Sequence, residues 1–120
     1  MADIVTHRIE QAERIEADWG DLTWWAKRSL GNSGTMTIGR CRIKPGHGNP
    51  PHRHPNCGEV LVVMSGRITH TGAGGVEVEL GAGDCVSIPP GIPHRARNIG
   101  DTVAELYISF DSADRQVEGE

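Results

Sequence analysis

The sequence predicts a single all-β domain. Its 120 residues are enough for one hydrophobic core and too few for two. Sixteen glycines and seven prolines, against one Phe and one Tyr, describe many short elements joined by tight turns. Apolar runs that begin and end at Gly or Pro also recur along the chain, as they do where strands alternate with turns. Both observations favour β-structure over helices.

Seven segments between these turn residues are predicted strands. They span residues 22–28, 36–44, 59–64, 67–71, 76–80, 85–88 and 103–110. The first contains Trp24 and Trp25, which must point to opposite faces of a strand. The third is an almost continuous apolar run, typical of a strand covered on both faces, and alternation turns Leu61 and Val63 to the same side as Glu59. The Gly-Ala-Gly-Gly sequence after the fourth strand predicts a hairpin.

The two ends of the chain are predicted to lie outside the domain. Residues 1–19 are charged, and their apolar positions fit neither a clean helix nor a clean strand, so we interpret them as an N-terminal arm without an assigned structure. Residues 20–112 form the domain. Residues 113–120 are a polar tail, and their composition predicts that the tail frays.

Composition also argues against several classes of partner. The formal net charge of −4 leaves no basic patch for a phosphate backbone, so nucleic acid is not expected to bind. The first twenty residues carry charges from residue 3 onward, unlike a signal peptide. No run approaches the ~20 apolar residues that span a bilayer. Cys41, Cys57 and Cys85 form no even set and no CxxC pair, which is typical of reduced thiols. These features predict a cytoplasmic protein, with Cys41 and Cys85 packed as small apolar side chains.

Three histidines and one glutamate form the candidate site. Residues two apart on a strand point to one face, so His52 and His54 can aim both imidazoles at one point. Glu59 lies five positions after His54, an odd offset that would place it on the opposite face of a continuous strand. The intervening Pro-Asn-Cys-Gly is rich in turn formers and can return Glu59 to the histidine face. His94 would come from a second hairpin, after a stiff Pro-Pro-Gly bend. Three imidazoles and one carboxylate suit Mn(II), Fe(II), Ni(II) or Zn(II).

The segments that hold these residues match the paired motifs of the cupin superfamily. The first motif, G(X)5HXH(X)3-4E(X)6G, and the second, G(X)5PXG(X)2H(X)3N, are filled at all ten fixed positions. These positions are Gly46, His52, His54, Glu59, Gly66, Gly83, Pro89, Gly91, His94 and Asn98. From about residue 20 to 112 the chain therefore resembles a small single-domain cupin of bacterial type. The resemblance implies a jelly-roll barrel, the double-stranded β-helix, and one divalent transition metal held by His52, His54, Glu59 and His94.

The last predicted strand can face the barrel interior in either of two phases. In one, its alternate apolar residues pack outward on another layer, and Glu105, Tyr107 and Ser109 face the metal. In the other, Tyr107 caps the rim of the core and Glu105 lies in solvent. The first phase fits the cupin pattern better. Tyr107 and Glu105 are therefore the predicted catalytic residues, for proton transfer or for anchoring a substrate.

The expected metal site is open to a small molecule. A six-coordinate ion with four protein ligands keeps two positions free, which catalysis needs. The resemblance implies an enzyme on a small oxygenated metabolite: a carbonyl or enediol isomerase, a lyase or a dioxygenase. The alternative is a non-catalytic module that senses or binds a small molecule or a metal. Cupin N-terminal strands commonly join a partner's sheet, so we expect a homodimer, with the outward-facing Trp at its interface or beneath the chain's own arm. His7, His47 and His70 are interpreted as ordinary solvated or hydrogen-bonded side chains.

Overall fold

The structure, a computed structural model, describes residues 3–119 and confirms the all-β class. Within this range the strands are β1 (Glu13–Ala17), β2 (Gly20–Ala26), β3 (Thr37–Ile43), β4 (Glu59–Ser65), β5 (Arg67–Thr71), β6 (Glu77–Gly81), β7 (Cys85–Ile88), β8 (Arg95–Asn98) and β9 (Ala104–Phe110). Single turns of 3-10 helix lie at Ile9–Gln11, Arg28–Leu30 and Ala73–Gly75. The seven predicted strands correspond to β2 through β7 and β9. No helix of the described residues has the length and apolar character needed to cross a membrane.

The strands form two antiparallel sheets. The larger has the order β1-β2-β3-β9-β4-β7, and the smaller has the order β6-β5-β8. Strands far apart in sequence are neighbours in the larger sheet, because β9 lies between β3 and β4. Its register runs from the pair Thr37 and Phe110 to the pair Ile43 and Ala104. This arrangement is the two-sheet jelly roll that the motif resemblance implies.

The hydrophobic core lies between the inner faces of the two sheets. Alternate residues of each central strand are buried there, as the period of two requires. The buried cluster includes Cys41, Ile43, Leu61, Val63, Ile68, Ala96, Leu106, Ile108 and Phe110. The predicted inward direction of Leu61 and Val63 is confirmed, since they are 4% and 0% exposed. Each large aliphatic side chain buried in this way contributes about 1.5–3 kcal/mol of transfer free energy.

The two adjacent tryptophans of β2 point to opposite faces, as predicted. Trp24 is buried over Gly39, its register partner on β3. A Cβ at Gly39 would come within 2.5 Å of the Trp24 ring, so only glycine leaves room for that packing. Trp25 lies on the outer face, where Tyr107 meets it edge-on at 5.4 Å and Arg40 lies 5.6 Å from its ring. Side chains of β9 and β3 therefore cover Trp25 within the chain.

Both ends of the described chain are more ordered than their composition predicts. Within the predicted arm, residues 13–17 form β1 and pair with β2. At the other end, residues 111–119, here called the strap, return along the loop before β4. Arg53 N–H donates to Glu118 O at 2.8 Å, and Glu118 N–H donates to Arg53 O at 2.9 Å. The fraying predicted for the tail is therefore wrong for its described residues, because their backbone groups find partners on that loop.

The three cysteines are free thiols in different environments. Cys41 packs in the core, as predicted, and burial raises its thiol pKa far above the usual range. Cys57 is buried as well, in the turn that precedes β4. Cys85 is exposed, so its prediction as a packed apolar residue is wrong. The reason is that β7 is an edge strand and its alternation turns Cys85 to the outer face.

Candidate metal centre

His52, His54, Glu59 and His94 converge in the folded chain. Each offers one ligand atom, and these atoms all lie within 4.8 Å of one another. Glu59 opens β4, His52 and His54 lie in the connection from β3, and His94 directly precedes β8. The imidazole centroids are 4.4 to 5.3 Å apart. The turn at residues 55–58 returns Glu59 to the histidine side, as the spacing required. We call these four residues the metal cluster.

Backbone hydrogen bonds hold the three histidines side by side. His52 N–H donates to His94 O at 3.0 Å, and His94 N–H donates to His52 O at 2.8 Å. Gly91 N–H donates to His54 O at 2.8 Å, and its φ of 79° forms the bend after the two prolines. Glu59 is fixed on both sides, since β4 pairs with β7 and with β9 at this residue. Main-chain contacts therefore set the positions of all four side chains.

Hydrogen bonds to backbone carbonyls determine which nitrogen of each imidazole is available to bind a metal. In each ring Nδ1 lies 2.8 to 2.9 Å from a backbone carbonyl oxygen, belonging to Pro50, Gln116 and Ile92 respectively. A carbonyl only accepts, so each Nδ1 carries the proton. In the neutral ring Nε2 then holds a lone pair, which is the form that binds a metal. In His54 and His94 this Nε2 faces Glu59, and the Nδ1 contact of His52 likewise leaves its Nε2 as the nitrogen available to a metal.

Two imidazole nitrogens of the metal cluster approach one carboxylate oxygen. His94 Nε2 lies 3.1 Å and His54 Nε2 lies 3.4 Å from the same Glu59 oxygen. With Nδ1 protonated, these contacts bring lone pairs together unless a proton or a metal ion lies between them. The buried His54 Nε2 has no hydrogen-bond partner among the described residues. This donor set and its unsatisfied nitrogen fit a borderline divalent cation.

Burial and mutual contacts shift the ionisation of the metal cluster. Burial lowers the pKa of His52 to about 4. Burial alone would raise the pKa of Glu59, but the imidazoles of His54 and His94 beside its carboxylate outweigh that effect and lower the pKa to about 2. Burial lowers the pKa of His94 while its hydrogen bond to Glu59 raises it, and the net shift is upward. At neutral pH Glu59 is therefore a carboxylate and His52 a neutral imidazole, the forms that a metal ligand requires.

The metal cluster lies on the wall of a cavity of about 210 Å³. This volume is below the ~300 Å³ at which pockets for drug-sized ligands begin. Most of the other lining is apolar: Trp19, Leu22, Cys41, Leu61, Ala96, Leu106, Ile108, Phe110 and Val117. Polar groups beyond the metal cluster come from Asn49, His70 and Arg115. The cavity therefore suits a small molecule that is oriented by few polar contacts.

His70 is a lining residue that sequence reasoning missed. It is 5% exposed, its ring stacks on His94 at 5.6 Å, and its Nε2 is buried with no partner among the described residues. Burial lowers its pKa, so the ring is neutral. The interpretation as an ordinary solvated or hydrogen-bonded histidine is wrong. Alternation on β5 indicates that His70 is buried, because it lies on the same face as the fully buried Ile68.

The strap forms part of the cavity wall and touches the metal cluster. Its Gln116 carbonyl accepts the Nδ1–H of His54. The side-chain amide of Asn56 donates to Asp114 O at 2.9 Å, and its oxygen accepts Gln116 N–H at 3.0 Å. Arg115 lines the cavity beside Trp24. No local pattern in the sequence indicates this placement, since it depends on contacts between segments about sixty residues apart.

Tyr107 and Glu105, the predicted catalytic residues, lie away from the metal cluster. Tyr107 is 39% exposed on the outer face of β9 against Trp25. Glu105 lines a surface groove with Arg42. The predicted phase of β9 is therefore wrong. In the described chain no further layer covers the outside of the larger sheet. The alternate apolar residues of β9 therefore turn inward and fill the core: Ala104, Leu106, Ile108 and Phe110.

The fold and the candidate centre define a class: a jelly-roll barrel with three imidazoles and a carboxylate at one cavity. Comparison with known sequences places the chain within that class. Residues 39–110 match the cupin domain family. Because this match covers more than half of the sequence, the protein belongs to the cupin family.

Curated relatives and solved structures resemble the chain over part of their length. Oxalate oxidase GF-2.8 of Triticum aestivum is 34% identical over 90 residues, which cover 66% of this chain and 40% of that protein. Germin-like protein 3-5 of Oryza sativa subsp. japonica is 32% identical over 96 residues, 74% of this chain and 40% of that protein. A structure of Bacillus subtilis oxalate decarboxylase, a protein with Mn(II) centres, superposes with a TM-score of 0.80 at 25% identity over 94% of this chain and 31% of that one. The Lactobacillus farciminis oxalate decarboxylase matches with a TM-score of 0.84 at 19% identity, over 92% of this chain and 34% of that one, and shows the fold alone. The chain thus spans about two fifths of these curated relatives and a third of these solved chains.

Proposed function

We propose that this protein is a metal-dependent enzyme that acts on a small oxygenated metabolite. The observation that carries the proposal is the convergence of three imidazole nitrogens and one carboxylate at the wall of an open cavity. Structural metal sites are closed by protein ligands, whereas this cluster adjoins space for another molecule. The proposed ligands are His52, His54, Glu59 and His94.

The proposed cofactor is one divalent transition metal. Nitrogen and carboxylate donors without a thiolate suit Mn, Fe, Ni and Zn, and the Mn(II) centres named for the Bacillus subtilis decarboxylase support Mn(II) as the first to test. When bound, such an ion polarises a substrate oxygen and orients the substrate. The chain's own contribution is to hold the imidazoles in one tautomer through the carbonyls of Pro50, Gln116 and Ile92.

The proposed substrate is compact and rich in oxygen. The cavity is small, and most of its lining beyond the metal cluster is apolar. A molecule with oxygen atoms on two neighbouring carbon atoms would occupy the side of the metal cluster that faces the cavity. His70 Nε2 offers a further hydrogen-bonding group there. Relatives named for oxalate oxidation and oxalate decarboxylation support a lyase or an oxygen-dependent reaction ahead of a keto-sugar or enediol isomerase.

Metal content and a small substrate panel test this function. Protein purified without an affinity tag should carry close to one metal ion per chain. His94→Ala should lose it, and His47→Ala, which changes an exposed histidine outside the cavity lining, should keep it. Oxalate should then be consumed with release of CO2, with or without O2, whereas proton exchange on keto sugars would indicate an isomerase.

Two outcomes would redirect the proposal. Metal-free wild-type protein that binds no added Mn(II), Fe(II), Ni(II) or Zn(II) would contradict the metal site. A metal-loaded protein that binds a metabolite tightly and leaves it unchanged across the panel would instead support a sensing or binding module.

A homodimer in the cytoplasm completes the proposal. Val60, Met64 and Tyr107 are 42%, 46% and 39% exposed on outward positions of β4 and β9, and this apolar surface supports self-association. Three free cysteines support a reducing compartment. Light scattering coupled to gel filtration should give twice the mass of one chain, and Tyr107→Glu should shift it toward the monomer.

A further inference from the structure

Arg115 is a cation held against the cavity that contains the metal cluster. Its guanidinium carbon lies 4.4 Å from the Trp24 ring centroid and 5.2 Å from the Phe110 ring centroid. Aromatic faces attract a cation and restrict the planar group. Arg115 also lines the cavity, and among its described lining residues it is the only Arg or Lys. One fixed positive group therefore stands in the same cavity as the metal cluster, among mostly apolar lining residues.

This guanidinium has no acidic partner in the described part of the chain. Five other arginines form ion pairs there: Arg14, Arg28, Arg42, Arg53 and Arg67. Arg115 forms none within residues 3–119. Burial lowers its pKa while the more distant Glu59 raises it, with a net lowering, yet an arginine stays protonated at neutral pH. A cation withdrawn from water without a partner is costly, and an anion that enters the cavity would offset that cost.

We propose that Arg115 binds the carboxylate of the molecule that enters the cavity. This inference rests on the proposed function and narrows its substrate class to small carboxylates with a second oxygen donor next to the carboxylate. Two parallel N–H···O bonds from the guanidinium would hold the anion, and the second oxygen would face the metal cluster. The strap thereby contributes a specificity-determining residue from outside the β-strands.

A purely structural role for Arg115 predicts a different result. Stacking on Trp24 and Phe110 could serve only to attach the strap to the barrel. In that case the loss of Arg115 would lower stability and weaken the binding of charged and neutral molecules equally. Discrimination between them is therefore the decisive readout.

The test measures the binding of oxalate, oxamate and oxamide, which have similar size and carry two, one and no negative charges. Titration calorimetry under nitrogen would use Mn(II)-loaded wild-type protein, Arg115→Met and Arg115→Lys. Arg97→Met is the matched control, because Arg97 is exposed on β8, forms no ion pair within residues 3–119 and does not line the cavity. Circular dichroism and metal content establish that each variant is folded and loaded.

Wild-type protein should bind oxamate more tightly than oxamide. Arg115→Met should weaken oxalate and oxamate binding about 10- to 100-fold, the range of a charge-assisted hydrogen bond, and leave oxamide within about twofold. Arg115→Lys should lose less affinity for oxalate and oxamate, and Arg97→Met should bind all three molecules as tightly as wild type. Equal affinity of wild type for oxamate and oxamide would overturn the proposal even if Arg115→Met does not fold. The proposal would also be overturned if metal-loaded Arg115→Met bound oxalate with wild-type affinity. Wild type that takes up no metal would contradict the proposed function instead.

Discussion

The cavity has two walls that are held in different ways. The strand wall, formed by β3, β4 and β9, carries Glu59 and is fixed by continuous ladders of backbone hydrogen bonds. The strap wall, residues 111–119, is attached by separate contacts: two backbone bonds to Arg53, a backbone bond from Arg28 N–H to Ala113 O, a bond from the Thr37 hydroxyl to Ser112 O, and the side chain of Asn56. His54 joins the walls, because its Nδ1–H donates to Gln116. The difference indicates that global stability resides in the strands, whereas the orientation of one proposed ligand depends on a locally attached segment.

Leu106→Ala should produce the largest effect, on global stability. Leu106 is fully buried in the strand wall, so the loss of its side chain leaves a cavity and should lower the free energy of unfolding by about 2–5 kcal/mol. Urea denaturation followed by circular dichroism measures this change. Tyr107→Ala, the next residue on the same strand but on its outer face, should cost less than half as much. Equal losses at the two positions would contradict the assigned phase of β9.

Truncation of the chain after Asp114 should weaken metal binding strongly and lower the stability of the fold only slightly. The truncation removes the Gln116 carbonyl that orients His54, and the loss of such an orienting partner typically weakens metal binding about 10- to 100-fold. Competition with a fluorescent chelator measures the affinity, and thermal unfolding of the metal-free protein measures the stability. If the truncated chain keeps wild-type metal affinity, the strap does not orient the ligand.

Asn56→Ala should reproduce a weaker form of the truncation. The substitution removes both hydrogen bonds between Asn56 and the strap and leaves the Gln116 carbonyl in the chain. We expect amide hydrogen exchange at residues 114–118 to accelerate, with no change in β4 or β9, since local opening needs only the loss of local contacts. Metal affinity should fall by less than about tenfold. Faster exchange throughout the strands would show that the two walls unfold together.

Asp21→Asn should have the smallest effect and should depend on pH. Burial alone would raise the pKa of Asp21, but hydrogen bonds and charge from Arg42 and Arg14 outweigh it and lower the pKa. A lowered pKa in the folded state stabilises the protein above the unfolded pKa of Asp, and this stabilisation is lost as pH falls through the folded value. The variant should therefore lose about 1 kcal/mol at pH 7 and almost nothing near pH 2.

Denaturation at both pH values measures this difference for Asp21→Asn. Metal affinity at pH 7 should stay unchanged, because Asp21 pairs with Arg42 on the outer face of β2 and β3. An equal loss of stability at both pH values would indicate a packing effect and not an ion pair.

The sequence was most informative where local periodicity and turn chemistry act. Alternation predicted the inward direction of Leu61 and Val63 and the opposite faces of Trp24 and Trp25, and the structure confirms both. Alternation could not choose between the two phases of β9, since the choice depends on which face of the sheet is covered. The strap shows the same limit, because Arg115 reaches the cavity through contacts that no short segment contains.

The sequence by itself predicted seven of the nine strands of the described residues, the turns between them and the four residues of the metal cluster, because period-two alternation, Gly and Pro conformation and motif spacing are local properties of the chain. Only the tertiary structure decided which face of β9 is inside, that His70 lines the cavity and that the strap brings Arg115 beside Trp24. The physical reason is that burial is a property of the whole barrel: a side chain faces the core only when another sheet or segment covers it, and residues distant in sequence supply that cover.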